Sequence, residues 1–250
     1  MNPSDPQRAP DPPAPGTALR AVVFDLFYTL VDMRHLPAEG STSDRLGIDP
    51  GVWSRQVMEH SPHHALGTEQ DPVESIRRIA HAIDPTISLE KIRAAASARP
   101  DRFRAALIRV RPEVTAGLAR LRAGGLRLGL ISNAGLDEIG AWPDSPLAPF
   151  FDAALFSCHE GVMKPEVEIY QRAAARLGVP PAQCLYVGDG GSQEHEGANA
   201  AGMPTALILG LLRETYPEIA ERRPQITRWV VESFDELVAL VERVRREGLG

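Results

Sequence analysis

Short, uniformly apolar runs alternate along this chain with longer amphipathic stretches. Residues 21–24 (AVVF) carry no polar position and end at Asp25. A run that short and that continuous predicts a parallel strand buried on both faces, with a carboxylate at its carboxyl end. The device recurs: residues 126–131 (LRLGLI) end in Ser132 and Asn133, residues 184–187 (CLYV) end in Gly188 and Asp189, and residues 205–209 (TALIL) end in Gly210. Helical patterns separate them. Residues 112–123 close at Gly124-Gly125 and residues 166–177 at Gly178, glycine standing where a helix stop is expected. Ser233 and Glu236 have capping-box spacing ahead of an amphipathic run to about Arg245. This βαβα alternation predicts an α/β fold, a doubly wound parallel sheet covered by helices on both faces, whose site lies beyond the carboxyl ends of the strands.

The alternation is interrupted between Asp25 and the second strand, where residues 32–110 show helical periodicity and no convincing strand. Residues 50–58, 72–83 and 89–107 read as helices, with Pro100 expected to break or kink the last. The organisation expected is therefore a Pro-rich disordered tail over residues 1–18, an α/β core from residues 19–31 and 111–250, and a helical cap inserted at residues 32–110.

Composition narrows the function classes. Hydrophobic residues make up 43% and charged residues 24%, an ordinary globular balance, and no apolar stretch reaches the length of a bilayer span. The first sixteen residues hold six of the 22 prolines and no apolar region of the kind a secretory signal needs. Two cysteines, Cys158 and Cys184, cannot build a disulfide framework in a chain this size, so a reducing cytoplasm is the expected location. The net charge is −6 without a dense basic block, which argues against nucleic acid as a partner. The sequence sets no oligomeric state.

Four segments carry the candidate chemistry: Asp25 to Thr29, Ser132-Asn133, Lys164-Pro165, and Gly188 to Glu194. All but the lysine fall at predicted strand ends. Together they supply a nucleophile, a hydroxyl donor, a cation and a pair of metal-type carboxylates, the set that phosphoryl transfer needs, because a carboxylate can approach a phosphoryl group only where its oxygens are neutralised. In this order the segments resemble the four motifs of the haloacid dehalogenase (HAD) superfamily, over residues 21–240. The resemblance implies a Rossmann-like core with a cap between the first and second motifs, and a small phosphorylated molecule as substrate. It implies that Asp25 is the covalent nucleophile, that Ser132 hydrogen-bonds a phosphate oxygen, that Lys164 neutralises charge, and that Asp189 and Glu194 hold Mg²⁺. Asp25 and the backbone carbonyl of Phe27 would complete the hard-oxygen ligand set that this ion prefers. Thr29 and Asn133 are expected to support substrate binding, although each could instead cap a helix, and Glu196 is an alternative to Glu194.

One position departs from the pattern. Phosphatases of the superfamily carry Asp-x-Asp in the first motif, and here the second position is Phe27. Loss of a general acid–base group costs on the order of 10²–10⁴ in rate, roughly 3–5 kcal/mol in the barrier, unless Tyr28, His195 or a cap histidine substitutes or the leaving group is a good one. An aromatic residue at this position also resembles the superfamily's dehalogenases, which work without metal. Against that rival stands the repulsion expected when Asp25, Asp189 and Glu194 gather beside an anionic haloacid with no divalent cation. A non-catalytic binding protein on the same scaffold is a third reading.

Other signals read as structural. His60, His63 and His64 lie close together and are expected to be solvated loop histidines rather than a zinc site, and Trp53 and Met58 to be cap core. His159-Glu160 and His195-Glu196 lack the second histidine of a zinc-protease motif, and Gly188 to Gly191 fails the dinucleotide spacing. Cys158 and Cys184 read as buried spacers.

Overall fold

The computed structural model describes residues 18–34, 40–223 and 227–249. Its strands are β1 (Ala21–Phe24), β2 (Arg127–Ser132), β3 (Ala153–Phe156), β4 (Cys184–Gly188), β5 (Thr205–Ile208) and β6 (Trp229–Val231). They form one sheet in the order β3-β2-β1-β4-β5-β6, with every pairing parallel. Phe24 pairs in register with Leu130 of β2 and Val187 of β4. The residues just past these three positions therefore meet at one edge, where the winding reverses between β1 and β4. Crevices at such a switch point are where open α/β sheets bind ligands.

The two faces of β1 explain its unbroken apolar run. Val22 and Phe24 enter one buried cluster with α5 (Pro112–Ala123) and α12 (Phe234–Glu247), through Val114, Leu118, Leu237 and Val241. Ala21 and Val23 enter a second cluster with Ile169, Tyr170 and Leu177 of α8 (Val167–Leu177). All four residues are fully buried. At about 1.5–3 kcal/mol for each large side chain removed from water, this two-sided burial is what seats the strand that ends in Asp25.

Between β1 and β2 run the helices α1 (Thr42–Leu46), α2 (Pro50–Ala65), α3 (Pro72–Ile83) and α4 (Leu89–Ile108), and no strand lies among the described residues there. Their N-termini are capped by Ser41, Asp49, Asp71 and Ser88, each accepting from a backbone N–H of the first turn. Leu46, Trp53, Ile76, Ile79, Ile92 and Ala95 form a separate apolar cluster. Two expectations change. The second helix continues past Met58 to Ala65, and α4 runs through an exposed Pro100 as one helix. Strands β3 and β6 were not foreseen. β3, Ala-Ala-Leu-Phe, lacks the β-branched residues that mark β1 and β5, and the three residues of β6 are too few to show a pattern.

The remaining helices are α6 (Leu136–Ile139), α7 (Ser157–Glu160), α9 (Glu194–Ala200), α10 (Gly210–Thr215) and α11 (Pro217–Glu221). At α12, Ser233 accepts from Glu236 N as the spacing predicted, while the Glu236 carboxylate reaches Glu232 N rather than the cap residue's own N–H.

A half-buried ionic cluster ties these helices to the α/β layer. Arg99 of α4 donates from Nε to Asp137 Oδ2 at 2.8 Å, from Nη2 to Glu138 Oε1 at 2.5 Å and from Nη1 to Thr42 Oγ1 at 3.2 Å. His64 Nε2 lies 3.1 Å from Asp137 Oδ1, and its ring fills the space a side chain at Gly135 would need. Burial pulls the His64 pKa down, but Asp137 and Glu138 more than offset it and the net shift is upward. This corrects the expectation of a solvated loop histidine. His63 is exposed as expected, and the His60 side chain lies outside the described residues. The Pro-rich segment lies outside them too, apart from Ala18. Among the described residues no helix is long and apolar enough to cross a membrane.

Candidate functional site

Asp25 continues the β1 ladder, its N–H donating to Val187 O at 2.9 Å, so the strand itself aims the side chain beyond the sheet edge. The chain then turns back at once: Leu30 N and Val31 N both donate to Leu26 O. That turn brings Thr29 Oγ1 to 3.0 Å from Asp25 Oδ2, where it donates. Thr29 orients the carboxylate and caps no helix. Tyr28 takes a left-handed backbone conformation with φ +63°, uncommon for a bulky residue. Its ring lies 5.8 Å from that of Tyr216.

Lys164 is the hub. Its buried Nζ donates to Asp25 Oδ1 at 2.5 Å, to Glu194 Oε2 at 2.7 Å and to Tyr186 Oη at 3.2 Å. Asn133, at the end of β2, sets its backbone: Lys164 N donates to Asn133 Oδ1 at 2.8 Å, and Asn133 Nδ2 donates to Lys164 O at 2.9 Å. The amide expected to meet substrate is thus engaged with the lysine's main chain. Ser132 is buried beside it, and its Oγ has no hydrogen-bond partner. A buried hydroxyl without a partner is costly, and one at this strand end suits an incoming acceptor.

Glu194 opens α9 and is fully enclosed. Oε1 accepts from Gly190 N at 2.7 Å, and Oε2 accepts from Tyr186 Oη at 2.7 Å as well as from Lys164. Tyr170 Oη donates to Glu194 O at 2.8 Å. Gly188 is required by proximity, since a Cβ there would lie 2.1 Å from Glu194 Oε1. Glu196, the alternative, is exposed. Asp189 accepts from Gly191 N at 3.0 Å and from Arg223 Nη2 at 2.9 Å. Asp25, Asp189 and Glu194 each offer an oxygen within 4.8 Å of the others, all three buried. Oxygen-only donors of this kind suit a hard divalent cation such as Mg²⁺.

The electrostatics follow from burial. Loss of water pushes Asp25 up to about 7; Lys164 pulls it down, and Glu194 and Asp189 push it up. Asp189 is raised by burial and by Glu194, against Arg223 and Gly191 N. Glu194 is lowered, because Lys164, His195 and Tyr186 outweigh its desolvation. Lys164 is raised, its own desolvation being outweighed by Asp25 and Glu194. Three carboxylates thus face two cations, and Asp25 and Asp189 share the imbalance.

Phe27 supplies no proton at the position beyond Asp25. Its ring packs edge-on against Phe103 of α4 at 5.4 Å, and the Arg99 guanidinium lies 5.1 Å from the Phe103 ring centre. The proposed substitutes differ in fitness. Burial and the Tyr216 contact push the Tyr28 phenol above its ordinary value, so it holds its proton tightly. His195 is buried with its ring 6.0 Å from Tyr186, and desolvation pushes its pKa down. His64 is committed to Asp137.

Sequence reading missed Tyr170, Tyr186 and Arg223. Tyr186 sits inside an apolar strand run and Tyr170 inside a helix, where an aromatic residue reads as core, and Arg223 follows α11 without a motif. Their hydroxyl and guanidinium groups acquire partners only through the tertiary fold.

The geometry accords with what the chain is similar to. Residues 19–202 match the profile of the haloacid dehalogenase-like hydrolases. A glyceraldehyde 3-phosphate phosphatase of Methanopyrus kandleri is 35% identical over 202 residues, covering 76% of this chain and 84% of that protein. A phosphoglycolate phosphatase of Salmonella paratyphi A is 32% identical over 130 residues, 51% of this chain and 49% of that protein. The L-2-haloacid dehalogenase structure from Xanthobacter autotrophicus superposes with a TM-score of 0.63 at 22% identity, over 90% of this chain and 98% of that one, a likeness of fold. By its motifs, sheet order and profile match, this chain belongs to the haloacid dehalogenase-like hydrolases.

Proposed function

We propose that this hydrolase is a Mg²⁺-dependent phosphatase of a small phosphorylated metabolite, working through an aspartyl-phosphate at Asp25. The observation that carries the reading is the buried triad Asp25, Asp189 and Glu194, two of whose members, Asp25 and Glu194, are spanned by Lys164. A haloacid site needs one carboxylate, whereas three gathered at one sheet edge suit a divalent ion and a phosphoryl group together. The relatives named as phosphatases of glyceraldehyde 3-phosphate and phosphoglycolate support a substrate of that size. The helices of residues 32–110 would act as the cap that limits it.

Asp25, Asp189, Glu194 and the Phe27 carbonyl would hold Mg²⁺, which when bound neutralises phosphoryl oxygens and polarises the phosphorus centre. The chain's own groups do the rest. Thr29 and Lys164 hold the Asp25 carboxylate from its two oxygens, fixing the lone pair that attacks phosphorus. Ser132 Oγ, unpartnered in the fold, donates to a phosphoryl oxygen. The leaving oxygen departs as the new Asp25–phosphate bond forms, and water then cleaves that bond to release phosphate. With Phe27 standing where phosphatases of the superfamily carry the acid–base aspartate, turnover would favour substrates whose leaving group needs little help. Phosphate release from an acyl or aryl phosphate, with Mg²⁺ and with EDTA, tests the reading. Metal-dependent turnover lost in Asp25→Asn is expected; no release across such a panel refutes it.

A second reading has two observations in its favour. Lys164 and Arg223 together answer much of the repulsion that would otherwise forbid metal-free work, and Phe27 resembles the dehalogenase pattern. Halide release from 2-haloacids in EDTA would favour that reading.

A further inference from the structure

Arg223 belongs to none of the four motifs, yet it lies across the turn that presents Asp189. Its Nη2 donates to Asp189 Oδ2 at 2.9 Å, and its side chain is 21% exposed. The turn is shaped to admit it. Gly190 has φ +83°, and a Cβ there would stand 3.3 Å from Arg223 Cδ, tighter than an ordinary contact. The end of α11 thus delivers a fixed positive charge onto one of the three triad carboxylates.

We propose that Arg223 is a resident counter-charge that competes with the divalent cation for Asp189 and so sets the ion concentration at which the site loads; this rests on the metal-dependent reading above. Without an ion, Lys164 spans Asp25 and Glu194 but makes no hydrogen bond to Asp189, and Arg223 supplies the missing countercharge. An ion held by an Asp189 oxygen becomes a near neighbour of the guanidinium, and like charges at that range repel even where the effective dielectric is high. Loading the site therefore weakens or displaces the Arg223 contact. A residue that merely steadied Asp189 would act in the opposite sense, since its loss would loosen the ligand and weaken ion binding.

The test is Mg²⁺ binding by isothermal titration calorimetry on the full chain, comparing wild type with Arg223→Gln and Arg223→Lys. Gln removes the charge and keeps a donor, while Lys keeps the charge and guards against a folding defect, which circular dichroism checks. R223Q is expected to bind Mg²⁺ about tenfold or more tightly than wild type, R223K to stay within about threefold, and added Mg²⁺ to raise the melting temperature of R223Q more than that of wild type. Unchanged or weaker binding in R223Q overturns the proposal. Wild-type phosphate release measured alongside separates the two claims. Mg²⁺-dependent turnover with unaltered R223Q affinity sinks only the role of Arg223, whereas no turnover and no Mg²⁺ binding in any of the three proteins sinks the functional reading as well.

Discussion

Replacing Lys164 with Met probes the electrostatic design most directly. The Lys164, Asp25 and Glu194 side chains are 4%, 9% and 1% exposed, so removing the ammonium strands two carboxylates away from water. Breaking a buried pair from one side costs roughly 3–5 kcal/mol. Protonation limits that cost, and the sign follows from the direction of the shift. Asp25 already stands at about 7 in the folded chain against 3.8 unfolded. An acid whose folded pKa is raised contributes stability that is full below its unfolded value and is lost as pH rises through the folded one. Metal-free wild type should therefore lose on the order of 2–3 kcal/mol from this group between about pH 5 and pH 8. Without Lys164 both carboxylates titrate higher and the loss steepens. Lys164→Met should cost roughly 3–5 kcal/mol near pH 8 in EDTA and about half that near pH 5. Urea denaturation at several pH values, with Asp25→Asn as the reference that removes the titrating group, measures both quantities. A penalty that is the same at both pH values, or below about 1 kcal/mol throughout, would refute the argument that Lys164 compensates buried negative charge.

Three further outcomes follow from particular contacts. Ser132→Ala should leave unfolding free energy within about 0.5 kcal/mol of wild type, because the hydroxyl has no partner to lose, while lowering phosphate release at least tenfold; comparable damage to both would contradict a hydroxyl held for a ligand. Gly188→Ala forces a Cβ against Glu194 and should destabilise by about 1–3 kcal/mol while weakening Mg²⁺ binding, read by denaturation and calorimetry, and a silent substitution would speak against the close approach. Arg99→Gln leaves Asp137 and Glu138 partly uncompensated between α4 and α6 and should cost about 2–4 kcal/mol with faster proteolysis of residues 42–108; unchanged protease sensitivity would argue against an ionic tie between the layers.

Much of the fold is legible along the chain because parallel strands buried on both faces leave uninterrupted apolar runs that end abruptly in polar residues. The runs at β1, β2, β4 and β5 and the glycine stops after α5 and α8 are local features, written within a dozen residues each. Strands β3 and β6 are different. They are the two edge strands, each hydrogen-bonded to a single neighbour and without a β-branched apolar run to announce it, apart from the two valines of β6. The four motif segments were readable for a similar reason, since each stands at the end of an element whose type could be assigned locally.

What those side chains touch was decided elsewhere. That Asn133 holds the Lys164 backbone, that Tyr186 and Tyr170 close around Glu194, that His64 packs half-buried against Asp137, and that Arg223 reaches Asp189 are all contacts between residues distant in sequence or facing in directions no periodicity records. Even Thr29, four residues from Asp25, needed the tight turn at Leu26 to become its donor. The sequence by itself determined which chemical groups would stand at the strand ends, because hydrophobic patterning sets element boundaries. Only the tertiary structure decided how their charges are shared, because burial and the distances between buried charges exist only once the sheet has assembled.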